Sequence, residues 1–150
     1  MKSVRLQLSS ESNLAEVLPL VRAYHEFEGF EISESGRVNS VRTLLSDKSL
    51  GAIWLIHWND ELVGYIALCL GFSIEFGGLD AFIDEFYISP TFRGKGIGTH
   101  VLGQIKTEAK SMNIRAIHLE VARSNIIAQE LYSRVHFKTR EKYVLMSIEL

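Results

Sequence analysis

The chain has 150 residues, 47% hydrophobic and 23% charged, with 16 Lys+Arg against 18 Asp+Glu. This is the mix of one compact globular domain over 1–150, burying roughly 70% of its unfolded surface. A net charge of −2 excludes a global electrostatic pull toward nucleic acid or an anionic membrane. The single cysteine, Cys69, excludes an internal disulfide framework and a thiolate-cluster metal site.

Met1–Arg5 lacks the apolar core of a signal peptide, and no apolar run approaches the roughly 20 residues of a membrane span, so a cytoplasmic location is expected. Val4–Leu8 alternates with period two and reads as a strand. Ser9–Asn13 supplies capping residues, with Asn13 three before Glu16. Leu14, Val17, Leu18, Val21 and Tyr24 then follow at helical intervals, predicting a helix to about Glu28 that Pro19 kinks or delays and Gly29 ends. Val38, Val41, Leu44 and Leu45 suggest a second short helix. Ile53–Trp58, Leu62–Phe72 and Ala81–Ser89 read as an antiparallel meander, turning at Asn59-Asp60 and Gly77-Gly78.

Ile97, Val101, Leu102, Ile105 and Ala109 mark a long amphipathic helix. Ala116–Val121 is a further strand. Ser124-Asn125 caps a helix with the stripe Ala128, Leu131, Tyr132 and Val135, and Tyr143–Leu150 closes as a strand. There is no repeat or linker, so the order predicts one α+β domain.

The charge is unevenly spread. Residues 1–90 carry 6 basic and 13 acidic side chains, net −7, and residues 91–150 carry 10 and 5, net +5. The two readings are solvated surfaces of opposite sign, or an anion sub-site beside a cation sub-site. Phe86–Pro90 followed by Arg93-Gly94-Lys95-Gly96-Ile97-Gly98 favours the second. Here a strand ends at a proline and a glycine-rich basic loop opens a helix. Glycine lets backbone N–H groups approach a ligand, the helix start adds partial positive charge, and Arg93 and Lys95 add full charges. The P-loop pattern and the dinucleotide G-x-G-x-x-G both fail, the latter because Thr99 stands at the third glycine.

That loop resembles the acetyl-CoA pyrophosphate loop of the GNAT N-acetyltransferase superfamily. His118–Asn125, with Ala128, Leu131-Tyr132 and Phe137, resembles the second half of the family's CoA site. The spacing of Glu120, Asn125 and Tyr132 is similar to the ribosomal-protein alanine acetyltransferase branch. The resemblance implies a mixed, mostly antiparallel sheet of about six or seven strands flanked by helices on both faces. It implies an acetyl-CoA cosubstrate, no metal, and direct transfer to an amine without a covalent intermediate. The backbones of Phe86 and Ile88 would pair with the pantetheine arm, Arg93, Gly94, Lys95, Gly96, Ile97 and Gly98 would hold the pyrophosphate, and Asn125 would contact the cofactor.

By the same resemblance Tyr132 is the acid, a phenol able to protonate the departing thiolate. The base is left among Glu85, Glu120 and Asp84. Adjacent on a strand, Asp84 and Glu85 point to opposite faces, so at most one faces the acceptor directly. Tyr24, Glu28, Glu75 and Asp80 are the candidates to line an acceptor pocket. Their acidity favours a cationic amine, on a small molecule or a protein N-terminus. The five histidines show no metal-ligand spacing and read as surface or packing residues, and Cys69 reads as an inert core thiol. The family usually has glycine before the phenylalanine that follows the last helix, whereas here His136 precedes Phe137, and a left-handed turn costs more for His. Trp54, Trp58 and the closing strand suit a homodimer interface or a monomer core equally. Two other classes share these features: a non-catalytic acyl-CoA sensor, and a protein-interaction module whose loop binds another phosphate.

Overall fold

The computed structural model describes residues 3–150, and their contacts divide the chain into two compact units, one ending at Glu120 and the other Val121–Leu150. The first unit is built on one sheet in the order β1 (Val4–Leu8), β2 (Gly51–Trp58), β3 (Glu61–Ser73), β4 (Gly78–Ile88) and β5 (Ala116–His118). All neighbours are antiparallel except β4 and β5, which are parallel. The β2–β3 turn is tight because Asn59 and Asp60 both take left-handed φ, 50° and 65°, the twist that two-residue hairpins need.

Helices α1 (Leu14–Glu28) and α2 (Glu34–Ser46) cover one face. Val17 and Val21 of α1 and Val41 and Leu45 of α2 form a core cluster with Ile53, Leu55, Tyr65, Ala67 and Tyr87 of the sheet. Strand alternation turns Trp54, Ile56, Ile66 and Leu68 to the opposite face, where they are equally buried. Parallel strands require a crossover, and α3 (Ile97–Ser111) supplies it, burying Ile97, Val101, Leu102, Ile105 and Ala109. Gln104 Nε2 donates to Val4 O at 3.0 Å and ties α3 to the far edge of the sheet.

Several expectations change. α1 runs on through Pro19 without a delayed start, and the second helix begins earlier than Val38, capped by Ser33, which accepts from Gly36 N–H at 3.1 Å. The sheet has five strands among the described residues, not six or seven, and β5 stops at His118 rather than Val121. The predicted closing strand Tyr143–Leu150 is not a strand. Val144, Met146 and Ile148 are 75%, 86% and 84% exposed, and among the described residues the segment joins no ladder. Trp54 is 3% exposed, so burial within the chain accounts for it.

In the second unit, Asn125 Oδ1 accepts from Ala128 N–H at 3.1 Å and starts α4 (Ile126–Arg134). Gln129 Nε2 donates to Ala122 O and Arg123 O at 2.8 and 2.9 Å, fixing the loop before the helix. Tyr132 and Phe137 meet edge to face at 5.7 Å.

Candidate active site

The centre of the site is a bulge in β4. Ala67 of β3 stands opposite Glu85, but the next residue, Leu68, stands opposite Ile83, so Asp84 is the extra residue. Regular alternation would send Asp84 and Glu85 to opposite faces. The bulge interrupts that alternation at Asp84.

Glu85 is held at both oxygens. Tyr65 O–H donates to Oε1 at 2.8 Å, and Nε2 of His25 lies 2.6 Å from Oε2. Behind His25, Arg37 of α2 donates from Nε to Nδ1 at 3.1 Å, and its Nη1 bonds Glu34, which also pairs with Arg22. The Glu85 side chain is 17% exposed. Burial raises its carboxyl above the usual glutamate range, opposed by the hydrogen bonds from Tyr65 and His25. Desolvation raises Asp84 as well, but Asp84 is exposed, so Glu85 is the carboxylate held away from water. Burial pushes the Cys69 thiol up to about 11, with both carboxylates adding to the rise, which leaves it protonated and non-nucleophilic at neutral pH.

The next stretch of β4 offers backbone instead of side chains. Ser89 N–H donates to Val63 O at 2.8 Å, and Ile88 stands opposite Gly64. That phase turns Tyr87 and Ser89 toward β3, and turns the N–H and C=O of Phe86 and Ile88 to the other edge. Among the described residues the pairing with β5 covers only Asp80–Phe82, so β4 and β5 part before Phe86. Where β4 ends, Gly94 and Gly96 take φ of 73° and 80°, and an added Cβ at either would meet nothing within 4 Å. Glycine adopts that left-handed backbone angle without strain. Gly96 is the N-cap of α3 and provides no side-chain cap, so the first N–H groups of the helix point out of its start.

The loop's two cations both lie against aromatic rings. Arg93 donates from Nε to Ile88 O at 2.7 Å, and its guanidinium lies 4.8 Å from the Phe27 ring and 5.4 Å from that of Tyr87. Lys95 Nζ lies 5.7 Å from the Trp58 ring. Ile88 thus offers its carbonyl to Arg93.

Of the acceptor candidates, Tyr24 is beside the cluster, its ring 6.0 Å from His25 and 6.4 Å from Tyr65. Asp80 is bonded to His118 Nε2 at 3.2 Å, and His118 lies against Phe76 and Phe82. Glu28 ends α1, Glu75 sits in the β3–β4 turn, and Glu120 follows β5, all three exposed. His25 and His118, read as surface or packing residues, are instead partners of carboxylates. His25 and Arg37 were not singled out from sequence, although a signal was present. His25 continues the buried i, i+4 row Val17–Val21, and Arg37 opens the buried row Arg37–Val41–Leu45. Polar residues on such rows need partners.

Known proteins agree with this architecture. The Acetyltransferase (GNAT) family profile matches residues 17–137. The uncharacterized N-acetyltransferase YycN of Bacillus subtilis (strain 168) is 32% identical over 99 residues, 65% of this chain, and the match covers 61% of YycN's length. An integron cassette protein from the mobile metagenome of Cole Harbour Salt Marsh, HFX_CASS3, superposes with a TM-score of 0.84 at 31% identity, covering 95% of this chain and 89% of that one. A predicted acetyltransferase from Clostridium acetobutylicum, solved with acetyl-CoA, shares the fold with a TM-score of 0.77 at 19% identity, covering 98% and 96%. A profile match over most of the chain, on a fold with parting parallel strands and a glycine-started helix, gives one conclusion: the chain belongs to the GNAT acetyltransferase family.

Proposed function

We propose that this chain is an acetyl-CoA-dependent N-acetyltransferase that moves an acetyl group directly to a primary amine, with Glu85 as the base. The observation that carries the base assignment is the buried Glu85 carboxylate, raised by desolvation and held by Tyr65 and His25 at a bulge beside the parting of β4 and β5. Two of its lone-pair positions are used, which leaves room for a proton from the amine or from a water. A carboxyl raised toward neutrality is a better proton acceptor from an ammonium than an ordinary glutamate.

The Phe86 edge receives the amide groups of the pantetheine arm as an added strand would, and the N–H groups at Gly94–Gly98 hold the pyrophosphate. Arg93 fixes the loop to β4 and Lys95 contributes charge from its place over Trp58. Glu85 takes a proton from the amine, whose nitrogen lone pair forms the C–N bond to the thioester carbonyl. By the family resemblance Tyr132 gives its phenolic proton to the sulfur as the C–S bond breaks, and its phenolate then takes the proton that the new amide nitrogen sheds. The acceptor is a cationic amine, drawn by the −7 of residues 1–90. Glu120 and Asp84 are the other candidates for the base, Tyr24, Glu28, Glu75 and Asp80 the candidates to line the acceptor pocket, and Asn125 a cofactor contact by the family resemblance.

The test is thiol release from acetyl-CoA over an amine panel, with calorimetry of acetyl-CoA binding. Wild type should acetylate at least one cationic amine, and Glu85→Gln should lose about 10²–10⁴-fold in kcat while still binding acetyl-CoA. The acid limb of kcat/KM should lie above the usual glutamate range, because the raised carboxyl is protonated, and the base lost, as pH falls through that higher value. Arg93→Glu with Gly96→Glu should abolish binding. Binding without turnover of any amine would leave an acyl-CoA sensor, and no binding would remove the cofactor site itself.

A further inference from the structure

We infer that Arg37 is a positioning residue, which fixes His25 as its neutral Nε2–H tautomer and so delivers one hydrogen bond, rather than an imidazolium, to the Glu85 carboxylate. The role of Arg37 toward Glu85 rests on the reading of Glu85 as the base, while its bond to His25 is independent of catalysis. An arginine can only donate. Because Arg37 Nε–H points at Nδ1 of His25 at 3.1 Å, that nitrogen must be bare, and the ring's proton is on Nε2, 2.6 Å from Glu85 Oε2. His25 and Arg37 are only 5% and 8% exposed, so no shell of water competes for either nitrogen.

The guanidinium is itself anchored. Nη1 bonds the Glu34 carboxylate and Nη2 lies 3.4 Å from Ile32 O, so the fork cannot turn without breaking contacts at the start of α2. A second proton on His25 would face the Arg37 N–H donor to donor. The device therefore keeps the carboxylate next to a dipole instead of a full positive charge. An imidazolium at that distance would lower the carboxyl and weaken it as a base.

The other groups facing this pair come from every neighbouring element. β3 brings Tyr65 and Cys69, β4 brings Asp84 and Tyr87, α1 brings Tyr24, and α2 brings Glu34 behind Arg37. Among these described groups, Arg37 alone is both cationic and bonded to the imidazole.

Two substitutions isolate the donor from the charge. In Arg37→Gln the side-chain amide nitrogen falls where Nε stands, so an N–H donor to Nδ1 is kept. In Arg37→Met it is lost, and both variants lose the Glu34 pair alike. Imidazole nitrogen NMR of the intact chain, free of substrate, should show wild type and Arg37→Gln in the Nε2–H form between pH 6 and 8. Arg37→Met should show exchange between tautomers or protonation of both nitrogens. In kinetics, the acid limb of kcat/KM should fall by about one pH unit in Arg37→Met relative to Arg37→Gln. A wild-type Nδ1–H tautomer, a doubly protonated ring in that range, or an Arg37→Met spectrum and pH limb like wild type would each overturn the inference. If the tautomer behaves as expected but Glu85→Gln keeps full turnover, the assignment of the base fails and the role of Arg37 toward His25 stands.

Discussion

Helices α1 and α4 end on the same backbone device. In α1, Gly29 N–H donates to Glu26 O at 3.3 Å and Phe30 N–H to His25 O at 2.9 Å; in α4, His136 N–H donates to Ser133 O and Phe137 N–H to Tyr132 O, both at 3.0 Å. Each is a Schellman closure around one left-handed residue, Gly29 at φ 75° and His136 at φ 78°. In both, the residue whose carbonyl is captured is a candidate site residue, and the aromatic ring just past the turn packs on it. Phe30 lies 5.6 Å from His25, and Phe137 5.7 Å from Tyr132. The two side chains differ in burial. His25 is buried and bonded on both ring nitrogens by residues from α2 and β4, while Tyr132 is half-buried. A local cap can aim a ring, but only the tertiary fold turns it into a link in a buried polar chain.

The largest expected effect tests whether the two rings differ in role as they do in setting. Tyr132→Phe removes one hydroxyl and keeps the ring against Phe137, so kcat should fall about 10²–10⁴-fold with acetyl-CoA affinity retained. A rate within about threefold of wild type would deny Tyr132 the acid role. His25→Phe keeps a ring against Phe30 too, but leaves Arg37 Nε–H and Glu85 Oε2 facing an apolar surface. Stability to urea should drop by about 2–3 kcal/mol, with a loss of rate. If His25→Phe were neutral to folding, the buried chain would be no more than the ring contact that α4 also has.

The same contrast explains what sequence could reveal. Gly29 as a helix stop, Asn125 as a cap and the glycines of 94–98 are local signals, written in consecutive residues, and each is found in its expected place. The Arg37–His25–Glu85 chain joins residues 12 and 60 positions apart, so nothing in any one window announces it. The Asp84 bulge is equally hidden, because it depends on how β3 and β4 register. Tyr143–Leu150 has the apolar content of a strand, but a strand exists only with a partner, and apolar content does not name one.

The smallest effects come from exchanging the turn residues themselves. At Gly29 a Cβ would meet nothing within 4 Å, so Gly29→Ala tests backbone angle alone and should cost about 1–2 kcal/mol. His136→Gly is the opposite exchange. It relieves the left-handed cost that a β-carbon carries at φ 78°, while glycine adds freedom to the unfolded chain, so the net gain should be only about 0.5–1 kcal/mol. Urea denaturation of the pair reads both signs. If His136→Gly were instead destabilising, the imidazole of His136 would have to hold contacts worth more than the strain of its backbone. The two helix ends would then be alike in hydrogen bonds only, with α4 relying on a side chain where α1 relies on the absence of one.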